Sequence, residues 1–247
     1  MTAGSEPDSN ERRRRWSTAA GTGYPAAVTD TIVFDVDGTL VDTNYHHALA
    51  WFRAFRGCDV TVPVWRIHRA IGMGGDRLVA AVAGDQVETE HGDALRAAWK
   101  KAFEPMLDEI VPFEDAPAVL QDCRRRGFRV VLASSGDPEH VRYYLDLLDA
   151  DELAERWTSA EDVSSTKPDP ELLAVALDGF DDGRAVLIGD SVWDCESATR
   201  MGLPCVGLLT GGSGAEELRS AGAARVFDSI PELRAALTDL PLAPVRL

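Results

Sequence analysis

The sequence predicts an α/β protein whose parallel sheet has helices on both faces and is interrupted by an all-helical insert. Short apolar runs typical of buried strands occupy residues 31–34, 129–133, 186–189, 205–209 and 225–228, and helical segments alternate with the later ones. Such alternation favours a parallel sheet covered on both faces. Between residues 45 and 111 apolar residues recur only at helical spacing, which predicts helices over 46–55, 64–71, 75–83 and 92–106.

These patterns divide the chain into three parts. Residues 1–27 are rich in Ser, Thr, Gly, Ala and Pro and lack apolar periodicity, which predicts a disordered tail. Residues 28–44 and 112–247 are predicted to form one discontinuous α/β core, and residues 45–111 a helical domain inserted into it. No apolar stretch follows the run from Arg12 to Arg15, so we interpret it as a solvated basic segment rather than an export signal.

Length, composition and charge exclude several classes of protein. The 247 residues, 45% of them hydrophobic, are enough for one or two domains. The net charge of −16 argues against nucleic acid and an anionic membrane surface as partners. No apolar run approaches the roughly 18 residues of a membrane span. The four cysteines lack the spacing of a zinc or redox site, which favours a reducing, cytoplasmic location.

Two carboxylates at the end of the first strand are the most informative feature of the chain. Asp35 and Asp37 follow the apolar run 31–34, and ligands bind at the carboxyl ends of strands in open α/β sheets. Gly38 lets the chain turn, so that both carboxylates can approach one ligand. A carboxylate can attack phosphorus, and a second acid can protonate the leaving oxygen and then activate water. The alternative interpretation is an ordinary acidic turn.

Four segments, in order, resemble the sequence motifs of the haloacid dehalogenase superfamily. DVDGTLVDT at residues 35–43 is similar to the first motif, and the strand at 129–133 with the serines that follow it is similar to the second. KPDP at 167–170 resembles the third motif, and GDSVWD at 189–194 resembles the fourth. The resemblance spans residues 31–194. It implies a Rossmann-like core with a helical cap domain inserted directly after the first motif, at residues 45–111.

The resemblance implies a magnesium site and an acid–base pair. Asp35 would be the nucleophile, and Asp37 the general acid and base. Mg²⁺ would be held by Asp35, by the backbone carbonyl of Asp37 and by Asp190, hard oxygen ligands that suit this ion. Asp194 would support a metal-bound water, although an acid at the start of a helix is the alternative interpretation of this residue.

Three further positions are expected to hold the phosphoryl group. Lys167 would pair with it and with Asp35, keeping that carboxylate ionised. Ser134 would donate its hydroxyl to a phosphate oxygen. The adjacent Ser135 is the alternative donor, but the length of the strand favours Ser134. For both serines, capping of the following helix is the structural alternative.

The segment 71–78, with the sequence IGMGGDRL, is predicted to bring the helical domain to the substrate. Its glycines, among them Gly74 and Gly75, suit a loop that approaches a ligand closely before a helix begins. Arg77 would then bind an anionic or hydroxylated leaving group. The alternative is a simple glycine turn between helices, with Arg77 in solvent.

Together, the motifs and the resemblance predict a Mg²⁺-dependent hydrolase of small phosphomonoesters, similar to phosphoglycolate phosphatases and acting through an aspartyl-phosphate on Asp35. A phosphomutase of the β-phosphoglucomutase type is the alternative, but its fourth motif often reads Glu-Asp-Ser where this chain has Gly189. Asp37 argues against haloacid dehalogenation, and the complete set of motif residues against a catalytically silent binding protein. The expected partner is a small phosphorylated metabolite, and the protein is expected to be a monomer or a homodimer.

Overall fold

The computed structural model describes residues 29–180 and 183–246. The predicted tail at residues 1–27 and its arginine run lie outside the described residues. The strands are β1 (Thr31–Phe34), β2 (Arg129–Ala133), β3 (Arg156–Thr158), β4 (Arg184–Gly189), β5 (Cys205–Leu208), β6 (Ala223–Phe227) and β7 (Ala243–Pro244). The helices of the insert are α1 (Asn44–Gly57), α2 (Val64–His68), α3 (Gly75–Ala83) and α4 (Asp85–Phe103). The later helices are α5 (Ala116–Arg125), α6 (Pro138–Leu147), α7 (Glu171–Leu177), α8 (Val192–Met201), α9 (Ala215–Ser220) and α10 (Ile230–Ala235).

The strands form one sheet in the order β3-β2-β1-β4-β5-β6. All neighbours along this path are parallel, and the short β7 pairs antiparallel with the start of β4. β1 lies between β2 and β4, with Ile32 opposite both Val130 and Val186. The loops that follow these three strands therefore meet at one edge of the sheet.

Helices cover both faces of the sheet. A separate hydrophobic core lies between each face and the helices that cover it. Successive side chains of a strand point to opposite faces, so Phe34 belongs to one core and Val33 to the other. Both residues are fully buried. The central strands are thus apolar at consecutive positions, as expected of a parallel sheet with two covered faces. The predicted fold class, including its inserted helical cap, is confirmed.

The helices inserted between β1 and α5 pack around a third core. Its buried members include Trp51, Phe55, Leu78 and Leu95. These residues come from α1, α3 and α4, so the faces of three helices bury one another rather than the sheet. The domain boundaries proposed at residues 44/45 and 111/112 stay predictions.

Three helices of the insert differ from the prediction at their ends, and α1 is longer than predicted by two residues at each end. α4 begins at Asp85 rather than at residue 92, because the polar stretch 85–91 is helical without an apolar stripe that would mark it. α2 ends at His68 rather than at residue 71, and the chain then turns through Gly72, whose φ is 100°. The edge strand β3 was not predicted, since three residues are too few to show a periodic pattern.

Among the described residues, no helix combines the length and the apolar character that a membrane crossing requires. All four cysteines are free thiols, three of them buried. Cys195 and Cys205 lie close together, with 3.1 Å between their Sγ atoms, although their spacing in the sequence is not that of a paired motif.

Candidate active site

The predicted motif residues converge at the edge of the sheet where β1, β2 and β4 end. Asp35 follows β1, Ser134 follows β2, and Asp190 follows β4. The parallel order β2-β1-β4 brings these three strand ends side by side. The side chains of all three residues are buried. Residues separated by more than 150 positions in the sequence thus form one site.

Three buried carboxylates form a cluster at this edge. One oxygen from each of Asp35, Asp190 and Asp194 lies within 4.8 Å of the others. Asp190 accepts hydrogen bonds of 2.8 Å from the Thr39 hydroxyl and 2.8 Å from the Asn44 amide. These donors fix the orientation of the Asp190 carboxylate, but they bring no positive charge to the cluster.

Lys167 provides the cluster with its one buried ammonium among the described residues. The side chain is 1% exposed and forms ion pairs with Asp35 and with Asp194, the latter at 2.8 Å. Its Nζ also donates to the carbonyl of Ala133 at 3.2 Å. Burial acts to lower the pKa of Lys167, but the charges of Asp194 and Asp35 outweigh it and raise the pKa. Lys167 is therefore a permanent cation held against the predicted nucleophile.

The cluster has the charge and the donor atoms of a divalent cation site. Burial raises the pKa of Asp35 well above its usual value, and burial with the nearby charge of Asp194 raises the pKa of Asp190 to about 7. Three carboxylates against the single ammonium of Lys167 leave two negative charges when all are ionised. A divalent ion with a preference for oxygen ligands would balance them.

Asp37 lies beside the cluster and has a separate set of partners. Its carboxylate is 3.0 Å from His47 Nε2 and accepts a 2.8 Å hydrogen bond from the Ser134 hydroxyl. Burial alone would raise the pKa of Asp37, but hydrogen bonds from His47, Ser134 and Thr43 together lower it. Gly38 makes the turn that follows Asp37, and its φ of 74° is a backbone conformation that favours glycine.

The two serines after β2 have different surroundings. Ser134 donates to Asp37 and accepts a 2.9 Å hydrogen bond from the Gly136 backbone N–H. Ser135 lines the cavity above the cluster, and its buried hydroxyl has no hydrogen-bond partner in the part of the chain that the structure describes. Neither serine caps α6, because Asp137 accepts the Glu139 N–H at 2.9 Å and takes the capping position. Both hydroxyls thus remain at the site.

Asp194 combines a structural contact with a place in the cluster. Its Oδ2 accepts hydrogen bonds from the backbone and hydroxyl of Ser191, and the Ser191 hydroxyl accepts the Asp194 N–H, which completes a capping box at the start of α8. Its other oxygen faces Lys167. A side chain at position 189 would overlap the Asp194 carboxyl group, so Gly189 leaves the space that Asp194 fills.

The helical insert covers the site, and a cavity of about 460 Å³ that is partly open to solvent lies between insert and core. Asp35 and Asp37 form its floor. Helices α1 and α4 supply one wall and the loop 71–76 another. The wall residues that carry charge or an aromatic ring include His47, Trp51, Asp76, Arg96, Trp99 and Lys100. The cavity is therefore shared between core and insert.

His47 is a site residue for which the sequence predicted no role. It lies in the first turns of α1, and its ring stacks on Phe103 at a centroid distance of 4.0 Å. Trp99 stacks on Phe103 at 5.6 Å and on Trp51 at 5.5 Å. This aromatic row fixes the ring of His47 against Asp37. The signal that would have identified His47 is its position on the helix directly after the first motif.

The predicted loop contacts the core rather than lying free in solvent. The backbone N–H of Gly74 donates to the Thr166 hydroxyl at 3.0 Å, and Gly74 and Gly75 line the cavity. Arg77 hydrogen bonds to Ser165 and lies 3.5 Å from the carboxylate of Asp169. The structure thus places Arg77 between insert and core and outside the cavity lining.

Replacing Arg77 is expected to weaken the contact between insert and core. We expect Arg77→Ala to lower kcat/KM by about two- to fivefold for every phosphate ester alike, the range of partly exposed ion pairs. The measurement is kcat/KM on two esters with chemically different leaving groups. Arg66→Ala, an exposed arginine of the same insert, is the matched control. A loss confined to one ester would instead support the predicted contact with the substrate.

Comparison with known proteins agrees with this arrangement. The model of the haloacid dehalogenase-like hydrolase family matches residues 29–202, a range that includes all four motifs. Phosphoglycolate phosphatase of Caulobacter vibrioides is 31% identical over 223 residues, which cover 87% of this chain and 93% of the relative. Validoxylamine A 7'-phosphate phosphatase of Streptomyces hygroscopicus subsp. limoneus is 28% identical over 184 residues. The alignment covers 72% of this chain and 84% of that relative.

A solved structure shows the same fold over nearly all of its length. The crystal structure of a hydrolase from Pseudomonas syringae superimposes with a TM-score of 0.80 at 30% sequence identity. The superposition covers 86% of this chain and 99% of the other. The similarity therefore extends over the sheet and the helical insert together.

Proposed function

This chain belongs to the haloacid dehalogenase-like hydrolase family and is a phosphatase similar to phosphoglycolate phosphatases, and we propose that it hydrolyses small phosphomonoesters through an aspartyl-phosphate on Asp35. The observation that carries the proposal is the position of Asp35. Its carboxylate is buried at the floor of the cavity against the ammonium of Lys167 and next to the second acid, Asp37. A nucleophile, a cation and an acid–base group are thus within reach of one phosphoryl group.

In the first step, Asp35 attacks phosphorus and the ester oxygen leaves. Asp37 donates a proton to that oxygen, and it then removes a proton from the water that hydrolyses the aspartyl-phosphate. Lys167 balances the charge of the transferring group, as cations do in phosphoryl transfer. The Ser135 hydroxyl, which has no partner among the described residues, donates to a phosphate oxygen, and the Ser134 hydroxyl can do so by turning its one proton away from Asp37. His47 is a positioning residue, because it holds the Asp37 carboxylate without reaching the cluster.

We further propose that Mg²⁺ is the divalent ion of the site. Asp35, Asp190 and the backbone carbonyl of Asp37 would hold it, with Asp194 supporting its water shell and orienting Lys167. When bound, the ion supplies positive charge to the phosphoryl oxygens. The residues fit this ion for two reasons. Their donor atoms are oxygens, and the three carboxylates together with the Lys167 ammonium leave a net charge of −2.

The space at Gly189 supports hydrolysis over the phosphomutase alternative. A glutamate there, as in the Glu-Asp-Ser form of the motif, would collide with the Asp194 carboxyl group in its present position. That carboxyl is fixed by Ser191 and by Lys167, so it has no room to move without breaking a capping box and a buried ion pair. The site therefore suits the phosphatase form of the motif.

Removal of divalent ions tests the function. We expect the purified protein to hydrolyse p-nitrophenyl phosphate with Mg²⁺, to lose this activity in EDTA and to recover it when Mg²⁺ is restored. The physical reason is that Asp35 and Asp190 repel each other and the phosphate when no ion balances them. Initial rates with and without EDTA are the measurement. Equal rates in both conditions would contradict the metal site, and no hydrolysis in either would contradict the function.

A further inference from the structure

The cavity above Asp35 has room for more than a small leaving group. Its volume of about 460 Å³ lies in the range of roughly 300–1,000 Å³ for pockets that bind drug-sized ligands. The cavity has this volume while the insert is in contact with the core, because Gly74 hydrogen bonds to Thr166 and Lys100 hydrogen bonds to Asp137. A two-carbon group such as glycolate would leave most of the space to water, at about 30 Å³ a molecule.

Three cations of the insert are already neutralised: Arg96 and Lys100, which line the cavity, and Arg77, which lies outside its lining. Each is held by two carboxylates: Arg77 by Asp76 and Asp169, Arg96 by Glu88 and Asp93, and Lys100 by Asp137 and Glu139. Glu161 also lines the cavity, and its exposed side chain has no hydrogen-bond or ion-pair partner among the described residues. A carboxylate on the leaving group would therefore meet an excess of negative charge.

The walls offer apolar aromatic surface and a hydrogen-bond acceptor together. Trp51 and Trp99 stack on each other at 5.5 Å and line the cavity, where Trp51 is buried and the half-buried Trp99 presents the apolar surface. Both Asp76 oxygens already accept hydrogen bonds from Thr166, so Glu161 is the carboxylate of the lining that has no partner among the described residues, and an ionised carboxylate only accepts hydrogen bonds. A fitting leaving group thus has an apolar face for the aromatic wall and hydrogen-bond donors for Glu161. A polyhydroxylated ring has both, whereas an aryl group has no donors.

We propose that the substrate is the phosphate monoester of an uncharged polyhydroxylated ring, a sugar or cyclitol, rather than phosphoglycolate or another small carboxylate ester. The proposal rests on the proposed function, because Asp35 is the nucleophile in both. It follows from the volume of the cavity, the pairing of its cations and the character of its walls. The leaving group would lie between the aromatic row of the insert and Glu161 of the core.

A panel of substrates tests the proposal on the full chain with Mg²⁺. The panel contains hexose and inositol monophosphates, phosphoglycolate, and p-nitrophenyl phosphate as the reference. We expect the best ring phosphate to exceed phosphoglycolate in kcat/KM by about tenfold or more, the effect of one hydrogen bond to a charged group. A kcat/KM for phosphoglycolate equal to or above that of every ring phosphate would overturn the proposal. If the protein hydrolysed neither p-nitrophenyl phosphate nor any other ester of the panel, the proposed phosphatase function itself would be overturned.

A change of charge at Glu161 gives a second, independent readout. Glu161→Lys is expected to raise kcat/KM for phosphoglycolate relative to the best ring phosphate by about threefold, the scale of an exposed ion pair. Glu152→Lys, an exposed acid that does not line the cavity, makes the same change in net charge and should leave the ratio unchanged. An unchanged ratio in Glu161→Lys, or an equal shift in both variants, would contradict a role of cavity charge in selecting the substrate.

Discussion

Asp35→Asn is expected to abolish turnover, with a loss on the order of 10⁴-fold or more, the scale seen when an enzyme nucleophile is removed. An amide neither attacks phosphorus nor binds a hard cation as a carboxylate does, so two contributions fail together. The measurement is kcat for p-nitrophenyl phosphate at saturating Mg²⁺. Asp146→Asn, the same chemical change on an exposed aspartate of α6, is the matched control and should keep full activity. Retention of more than a small fraction of activity in Asp35→Asn would contradict the assignment.

The same variant should fold at least as well as the natural chain when Mg²⁺ is absent. The pKa of Asp35 is raised, first by burial and further by neighbouring carboxylates, so its ionised form is less favourable in the folded protein than in the unfolded chain. An acid whose pKa is raised on folding lowers the free energy of unfolding as the pH rises from its unfolded-state pKa to its folded-state pKa, and the loss persists above it. Removing this charge should leave Tm in EDTA equal or higher. A large fall in Tm would show that inactivity reflects unfolding.

The floor of the cavity is predictable from the sequence because its parts are local and because its short motifs resemble those of the family. Asp35 and Asp37 are fixed by one strand end and one glycine turn, and Lys167 lies in a short motif of its own. The parallel order of β2, β1 and β4 then brings the motifs together. Alternation of apolar runs is enough to predict such a sheet, although it does not predict a strand as short as β3.

The walls of the cavity are a different case, because they depend on how the insert packs against the core. His47, Arg96 and Lys100 lie on helices whose patterns show which residues are apolar, but not which polar residues face the sheet edge. Arg77 illustrates the same limit. Its glycine-rich loop predicts an approach to the site, while the packing directs its guanidinium to Ser165. Angles between helices follow from the fit of many side chains, which a single sequence does not give.

Asp37→Ala is expected to lower kcat by about 10²–10⁴-fold, the usual contribution of a general acid–base group. Asp37 acts twice in the proposed mechanism, on the leaving oxygen and on the attacking water. When the leaving group is activated, as in p-nitrophenyl phosphate, it needs little help from an acid, so the second step should become limiting. Phosphorylated Asp35 should then accumulate and be detectable by mass spectrometry of the acid-quenched enzyme. A change in KM with kcat intact would exclude this role.

His47→Gln provides the graded comparison, because His47 holds Asp37 at 3.0 Å but does not take part in either proton transfer. A glutamine keeps a hydrogen-bond donor and loses the ring that stacks on Phe103. We expect a smaller loss of kcat, about tenfold, together with an upward shift of the pH profile of kcat, because the electrostatic attraction of His47, which a neutral glutamine lacks, helps to lower the pKa of Asp37. In the double variant with Asp37→Ala, the His47 substitution should have almost no further effect on kcat, since the carboxylate that it positions is gone. Independent, additive losses would show that His47 acts through something other than Asp37.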